Sequence, residues 1–337
     1  MIATAPAKVI LSGEHAVVYG APALAAAVQR YARCQVTALG RRDRLALSLP
    51  DLSIERALAL SDLTDLRQQV LKRHAAYLAG QLTIDKVATA DELLWSALGE
   101  WLHQYSPGGL QQGLRIRLSS SIPLGSGMGS SAAVCTSLVA SVSAFCGRPL
   151  ARDALQALVT RVEALQHGRS SGLDPALSVR GGVMRFCCGD AEPLAAALPG
   201  RWWLANSGTP RVSTGECVEL IRQRFGSSTI WQRFAAVTAA LEQGLRQQDR
   251  AAIAAAIRTN HRLLTDIGVV PDRVQQCIDD IEAAGGAAKI SGAGAVTGDA
   301  GGLILVYHPH NDVPPALPAE YQLMDLELDS YGTRVRN

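Results

Sequence analysis

Lysine is nearly missing from this chain. Of its 32 Lys and Arg residues, only Lys8, Lys72, Lys86 and Lys289 are lysine. No run of five or six like charges occurs, and the formal net charge is only +2. The electrostatic footprint of a nucleic-acid partner or an acidic membrane surface is therefore absent. No apolar stretch approaches the ~20 residues that span a bilayer, so no membrane segment is expected. The amino terminus turns polar within thirteen residues, unlike a signal peptide. The seven cysteines are odd in number and scattered, with neither a disulfide framework nor zinc spacing. Reduced, mostly buried thiols and a soluble, cytoplasmic protein are the expectation. Aromatics make up 5% of the chain, which leaves alanine and leucine to fill most of the interior and favours helix-rich packing. Low-complexity linkers and fixed-period repeats are also lacking.

What is present is a chain of 337 residues, 48% hydrophobic and 18% charged, long enough for two domains. The boundary is expected near residue 200, giving units 1–200 and 201–337. Residues 2–12 suggest a strand, with Pro6 confining its early part to an edge. Short alternating runs between 31 and 60 read as strands, and 62–105 turns helical. Residues 151–166 form a helix with an apolar stripe of Leu155, Leu158, Val159, Val162 and Leu165, and Glu163 lies to one side of it. Two long helices follow over 230–248 and 250–267, and a third starts at Pro271 and stops at Gly285-Gly286.

The richest segment is Pro123-Leu-Gly-Ser-Gly-Met-Gly-Ser-Ser-Ala-Ala133. It follows the strand-like Leu114-Arg-Ile-Arg-Leu118 and leads into a run of small residues. Glycine permits positive φ and close backbone approach. Unpaired N–H groups at a helix start favour an anion. Gly125, Ser126, Gly127, Met128, Gly129, Ser130 and Ser131 therefore read as a phosphate cradle. The competing reading is a glycine-rich turn packed between a strand and a helix; the serine pair and the strand–loop–helix order favour phosphate.

Two further glycine segments carry chemically able residues: Ala5-Pro-Ala-Lys-Val-Ile-Leu-Ser-Gly-Glu-His-Ala-Val-Val-Tyr-Gly20 and Lys289-Ile-Ser-Gly-Ala-Gly-Ala-Val-Thr-Gly298. With the cradle, and in this order, they resemble the three signature motifs of the GHMP kinases across nearly the whole chain. The tail of the first, Gly-Glu-His-Ala-Val-Val-Tyr-Gly, is similar to the branch of the family that phosphorylates mevalonate. Gly208-Thr-Pro-Arg-Val-Ser-Thr214 and Asn260-His-Arg-Leu-Leu-Thr-Asp-Ile-Gly268 fit the same branch.

The resemblance implies an α+β two-domain fold, with a ribosomal-protein-like α/β domain, a ferredoxin-like domain and the active site between them. It implies ATP and Mg2+ as cofactors and mevalonate as acceptor, giving 5-phosphomevalonate on the route to isoprenoids. Many family members are dimers, so a homodimer is the assembly it suggests. Asp174 matches the catalytic base and Lys8 the cation beside it. A turn or capping aspartate before Pro175 and a solvated strand-edge lysine are the alternatives from the residues alone. Ser131 and Glu163 match the magnesium ligands, against an N-cap serine and a solvated helix-face glutamate. Glu14 and His15, with Lys8 and Asp174, match substrate-side positions; Arg211 and Thr214 are weaker candidates. Ser291, Gly292, Ala293 and Gly294 match the loop that closes on the phosphates. That loop departs from the family where Ala295-Val-Thr-Gly298 replaces further glycines, which puts its closure and its substrate in question. A kinase for phosphomevalonate or a mevalonate-like acid, a non-catalytic ligand-binding homologue, and a decarboxylase of the same superfamily are the other readings.

Overall fold

The computed structural model describes residues 1–123, 125–168, 170–310 and 314–337. Leu124 of the glycine segment and Arg169 lie outside them. The first half builds a mixed sheet and its helices. In chain order these are β1 (Ile2–Ser12), β2 (Ala23–Leu39), β3 (Arg44–Leu49), β4 (Ile54–Ala59), α1 (Leu60–Leu78), α2 (Ala90–Tyr105) and β5 (Gly113–Ser120), followed by α3 (Ser130–Phe145), α4 (Arg152–His167), α5 (Leu173–Arg180), β6 (Val183–Cys187) and β7 (Asp190–Pro193). The second half runs β8 (Arg201–Asn206), α6 (Thr214–Phe225), α7 (Ile230–Gln247), α8 (Arg250–Asp266), α9 (Asp272–Ala283), β9 (Ala287–Ser291), β10 (Leu303–His308), β11 (Gln322–Asp325) and β12 (Arg334–Arg336).

The first sheet has the order β12-β1-β2-β5-β3-β4, with β6 pairing β2 and β7 pairing β6. β2 is long enough to pair β6 with its first residues and β5 with its last. Pro6 sits inside β1 where β12, paired only with Ile2–Thr4, has already ended. Its missing N–H thus leaves no ladder bond unmade on that side, and the β1–β2 register shifts beside it. The second sheet has the order β11-β8-β10-β9, all antiparallel. α8 and α9 pack against β9. The second sheet opens at Arg201, but the tail does not stay with it: β12 returns to the first sheet, so the second unit is not one continuous run to residue 337.

Alanine does fill the interior. Ala5, Ala7, Ala23, Ala25, Ala26, Ala27 and Ala32 of β1 and β2 are all fully buried. Small side chains on the strands let helices approach closely. α3 is buried from Ala132 to Ser143 except at Val134, and Ser137 and Ser143 satisfy their hydroxyls on carbonyls three residues back. One apolar core runs continuously from β1 and β2 into β8, α7, α8 and β9, so the two halves are joined by hydrophobic burial rather than by a linker. A second core lies between the first sheet and α2, α3 and α4, filled by Trp95 and Trp101. All seven cysteines are unpaired. Among the described residues, no helix is long and apolar enough to cross a membrane.

Candidate active site

The glycine turn delivers α3 end-on to the seam between the halves. Gly125, Gly127 and Gly129 have φ of 68°, 77° and 69°, a region that side chains disfavour. Ser126 turns inward and ties its hydroxyl to the Pro123 carbonyl at 2.7 Å. Met128 is buried, and its carbonyl accepts from the Lys8 backbone N–H at 2.9 Å. Gly129 is the N-cap of α3, and no side chain caps the helix, so its first N–H groups are left for another acceptor.

Lys8 comes from β1 and Asp174 from the first turn of α5. They meet in front of this helix end, with Lys8 Nζ 3.5 Å from Asp174 Oδ1. Gly129 makes room for the pair: a Cβ there would lie 3.0 Å from Lys8 Cγ and 3.1 Å from Asp174 Oδ2. The Lys8 side chain is 6% exposed and that of Asp174 is 30% exposed, so the carboxylate has the open side.

Glu163 lies beside them on α4. It flanks the apolar stripe, yet it is 2% exposed because α3 covers it. Its Oε2 accepts from Ser131 Oγ at 3.0 Å, whereas its Oε1 is buried with no partner among the described residues. Burial, with Asp174 nearby, pushes the Glu163 carboxyl up to about 8; Ser131 and Lys8 only partly offset this. The cluster thus holds two carboxyls and one ammonium, and without a further cation the buried Glu163 carboxyl favours its protonated form. A divalent cation would fit the orphaned oxygen and favour the ionised form. Among the described residues, no group of three or more His, Cys, Asp and Glu could hold a metal alone. Phosphate oxygens and water would have to complete the shell, as suits a small octahedral ion. His167, which the sequence left without a role, brings Nε2 within 3.7 Å of Glu163 Oε2. Its spacing of four from Glu163 on one helix was the available signal.

The first glycine segment is set deeper. Glu14 is fully buried and ion-paired with Lys289 of β9, whose Nζ also donates to the carbonyls of Ile10 (3.2 Å) and Ile290 (2.9 Å). Burial raises the Glu14 pKa and lowers that of Lys289, so each charge depends on the other. Around them Ser12 donates to Asn260 Oδ1 at 2.6 Å and lies 2.8 Å from the Thr238 hydroxyl. His15 adopts φ 56° and places Nε2 2.9 Å from the Ala293 carbonyl. The Ser291 hydroxyl donates to the Ile10 carbonyl at 3.1 Å and accepts from the Ile10 N–H at 2.8 Å. The first and third glycine segments are therefore one hydrogen-bonded unit. A Cβ on Gly127 would lie 3.5 Å from the Ser291 carbonyl oxygen, so Ser291 and Gly292 stand against the cradle. Ala295, where the family has glycine, is buried and anchored by its N–H to the Val269 carbonyl at 2.9 Å.

A cavity of about 140 Å³ opens where these loops meet. Its walls are Gly125, Ser126 and Gly127 on one side, Ser291, Ala293 and Gly294 on another, and Thr209, Pro210, Val212 and Ser213 with the first residue of α6, Thr214, on a third; Arg211 itself does not line it. Arg211 packs instead against Gly298. Lys289, like His167, is a residue of the site region that the sequence left without a role; a lysine opening a glycine segment in a chain with only four lysines is the available signal.

Next to Asn260, His261 is 3% exposed, and burial lowers its pKa from 6.5 to about 4. The folded chain stays neutral there while the unfolded chain takes up a proton. Stability from this group is therefore full above pH 6.5 and falls as pH drops towards 4. Between pH 7 and 4.5 the loss is expected to be roughly 2–3 kcal/mol. Urea midpoints should fall less over this range in His261→Gln than in the wild type; equal slopes would exclude His261 as the source.

Comparison with known proteins identifies the family. The family model described as GHMP kinases N terminal domain matches residues 92–182, and that described as GHMP kinases C terminal matches 241–298. The chain belongs to the GHMP kinase family and is a kinase with that family's two-domain α+β fold. Its relatives include mevalonate kinase of Archaeoglobus fulgidus, 31% identical over 87% of this chain and 89% of the relative. Mevalonate kinase of Thermococcus gammatolerans is 30% identical over 87% and 86%. The solved Methanococcus jannaschii mevalonate kinase has the same fold, with a TM-score of 0.77 over 98% of both chains at 20% identity.

Proposed function

We propose that this kinase transfers the γ-phosphoryl group of ATP to the primary hydroxyl of mevalonate, giving 5-phosphomevalonate and ADP. The observation that carries the chemistry is the Lys8–Asp174 pair, 3.5 Å apart, at the uncapped start of α3. The mevalonate kinase relatives, similar over nearly nine-tenths of the chain, support the choice of acceptor.

Phosphoryl transfer asks a protein mainly for positioning and charge neutralisation. The acceptor hydroxyl lies against Asp174, which takes its proton as the new O–P bond forms. The bond between the γ-phosphorus and the β–γ bridging oxygen breaks, and ADP leaves with that electron pair. Lys8 stabilises charge on the reacting oxygens. The glycine turn and the first N–H groups of α3 hold the phosphates. Mg2+, when bound with Ser131 and Glu163, would neutralise phosphate charge. His15 donates its Nε2–H to the Ala293 carbonyl, which leaves Nδ1 as a candidate acceptor for the tertiary hydroxyl of mevalonate.

An ADP-release assay with mevalonate, phosphomevalonate, homoserine and galactose tests the reading. Turnover is expected with mevalonate alone and only with Mg2+ present. Equal activity on phosphomevalonate would overturn the acceptor. No turnover on any acceptor would favour a non-catalytic ligand-binding homologue, and release of carbon dioxide would favour the decarboxylase.

A further inference from the structure

The helix that carries Asp174 is too short to stand alone. α5 has eight residues, and an isolated helix of that length is unstable in water. Its carbonyl end needs donors. Gly181 supplies one N–H, to the Leu177 carbonyl at 2.8 Å. Two more come from the far end of the chain. Thr333 donates its hydroxyl to the Ser178 carbonyl at 2.8 Å and its N–H to the Val179 carbonyl at 3.2 Å. The tail leaves no space for a side chain here. A Cβ on Gly332 would lie 2.3 Å from the Val179 oxygen, and one on Gly181 would lie 2.3 Å from the Gly332 nitrogen.

The tail is itself held rigidly. Asp329 is 2% exposed and accepts from the N–H groups of Tyr331 (3.0 Å) and Gly332 (2.6 Å) and from the Tyr31 hydroxyl (2.7 Å). It also pairs with Arg334, whose guanidinium lies over the rings of Tyr31 and Tyr331. The Asp329 backbone bridges outward, accepting from the Gly182 N–H at 2.6 Å and donating to the Ala27 carbonyl at 2.9 Å. On the other flank of α5, the Ser178 hydroxyl donates to the Pro6 carbonyl at 3.0 Å, on the strand that carries Lys8.

We propose that the carboxy-terminal tail, through Thr333 and the Asp329 hub, positions Asp174 against Lys8. Thr333 and Asp329 are positioning residues, and neither touches the reacting atoms. The inference rests on Asp174 being the base of the proposed reaction. The tail lies outside both segments matched by the family models. A displacement of about 1 Å at a reacting group can cost on the order of a hundredfold in rate. A weakened clamp therefore lowers kcat and leaves substrate binding nearly unchanged.

The test compares wild type with Thr333→Val, which keeps the shape and removes the hydroxyl, and Thr333→Ser, which restores it. Two readouts are taken: kcat and KM for both substrates, and amide hydrogen exchange in α5 against β10. Thr333→Val is expected to lower kcat roughly tenfold with both KM values within about twofold. Exchange should quicken in α5 and not in β10, and Thr333→Ser should recover both. Faster α5 exchange with wild-type kcat would overturn the positioning role, and unchanged exchange would overturn the clamp. A wild type inactive on every acceptor would sink the functional reading instead. The exchange arm would still stand, with quickening confined to α5 supporting the clamp.

Discussion

Asparagine in place of Asp174 is expected to lower turnover roughly 10²–10⁴-fold, the usual worth of a positioned acid–base group. The substitution keeps the side chain's size and removes its capacity to take a proton. Asp174 is part-exposed on the first turn of α5 and, among the described residues, makes one ion pair, with Lys8, so the fold should survive the change. Thermal unfolding within a few degrees of wild type and an unchanged ATP affinity would assign the loss to chemistry. Lys8→Ala should lose a comparable factor, because the same proton transfer depends on both groups. A near-wild-type Asp174→Asn enzyme would remove the base from Asp174 and leave the Lys8 pair as a structural contact.

The second large effect lies in the buried pair behind the site. Lys289→Met leaves the Glu14 carboxylate in a fully buried setting without its cation, and Glu14→Gln leaves the Lys289 ammonium without its anion. Each single change is expected to destabilise the chain by roughly 3–5 kcal/mol, since an uncompensated charge is then held away from water. The double replacement should cost less than the sum of the two, because the burial penalty disappears along with both charges. Urea unfolding of the four proteins measures this directly. Additive losses would show that the two side chains do not act as a pair. Activity should fall as well, because this pair joins the segment of His15 to the loop of Ser291 and Ala293.

The pattern of apolar residues sufficed for several elements. The 151–166 stripe became α4, whose five stripe positions are all buried. The strand over 2–12 and the helices over 230–248 and 250–267 lie where periodicity put them. Other elements were hidden for identifiable reasons. Ala287–Ser291 reads as the start of a glycine loop, yet it is a buried edge strand because β10 pairs along one side of it and α8 and α9 pack over it. α6 buries only Cys217 and Ile221, too thin a stripe to announce a helix. The short β12 has no pattern of its own and exists because β1 offers it an edge.

Composition and local order determined by themselves that this chain is long enough for two domains, mixes strands with helices and carries three glycine segments, one of them shaped to meet phosphate. The resemblance those segments carry to a known family named Lys8, Ser131, Glu163 and Asp174. Only the tertiary structure decided that Glu14 belongs to Lys289, that Glu163 is buried with an oxygen to spare, and that the last residues brace the helix of Asp174. The physical reason is range. Periodicity and turn chemistry act over a few neighbours, whereas desolvation and ion pairing depend on what distant segments, such as β9 and the tail, bring to the same place.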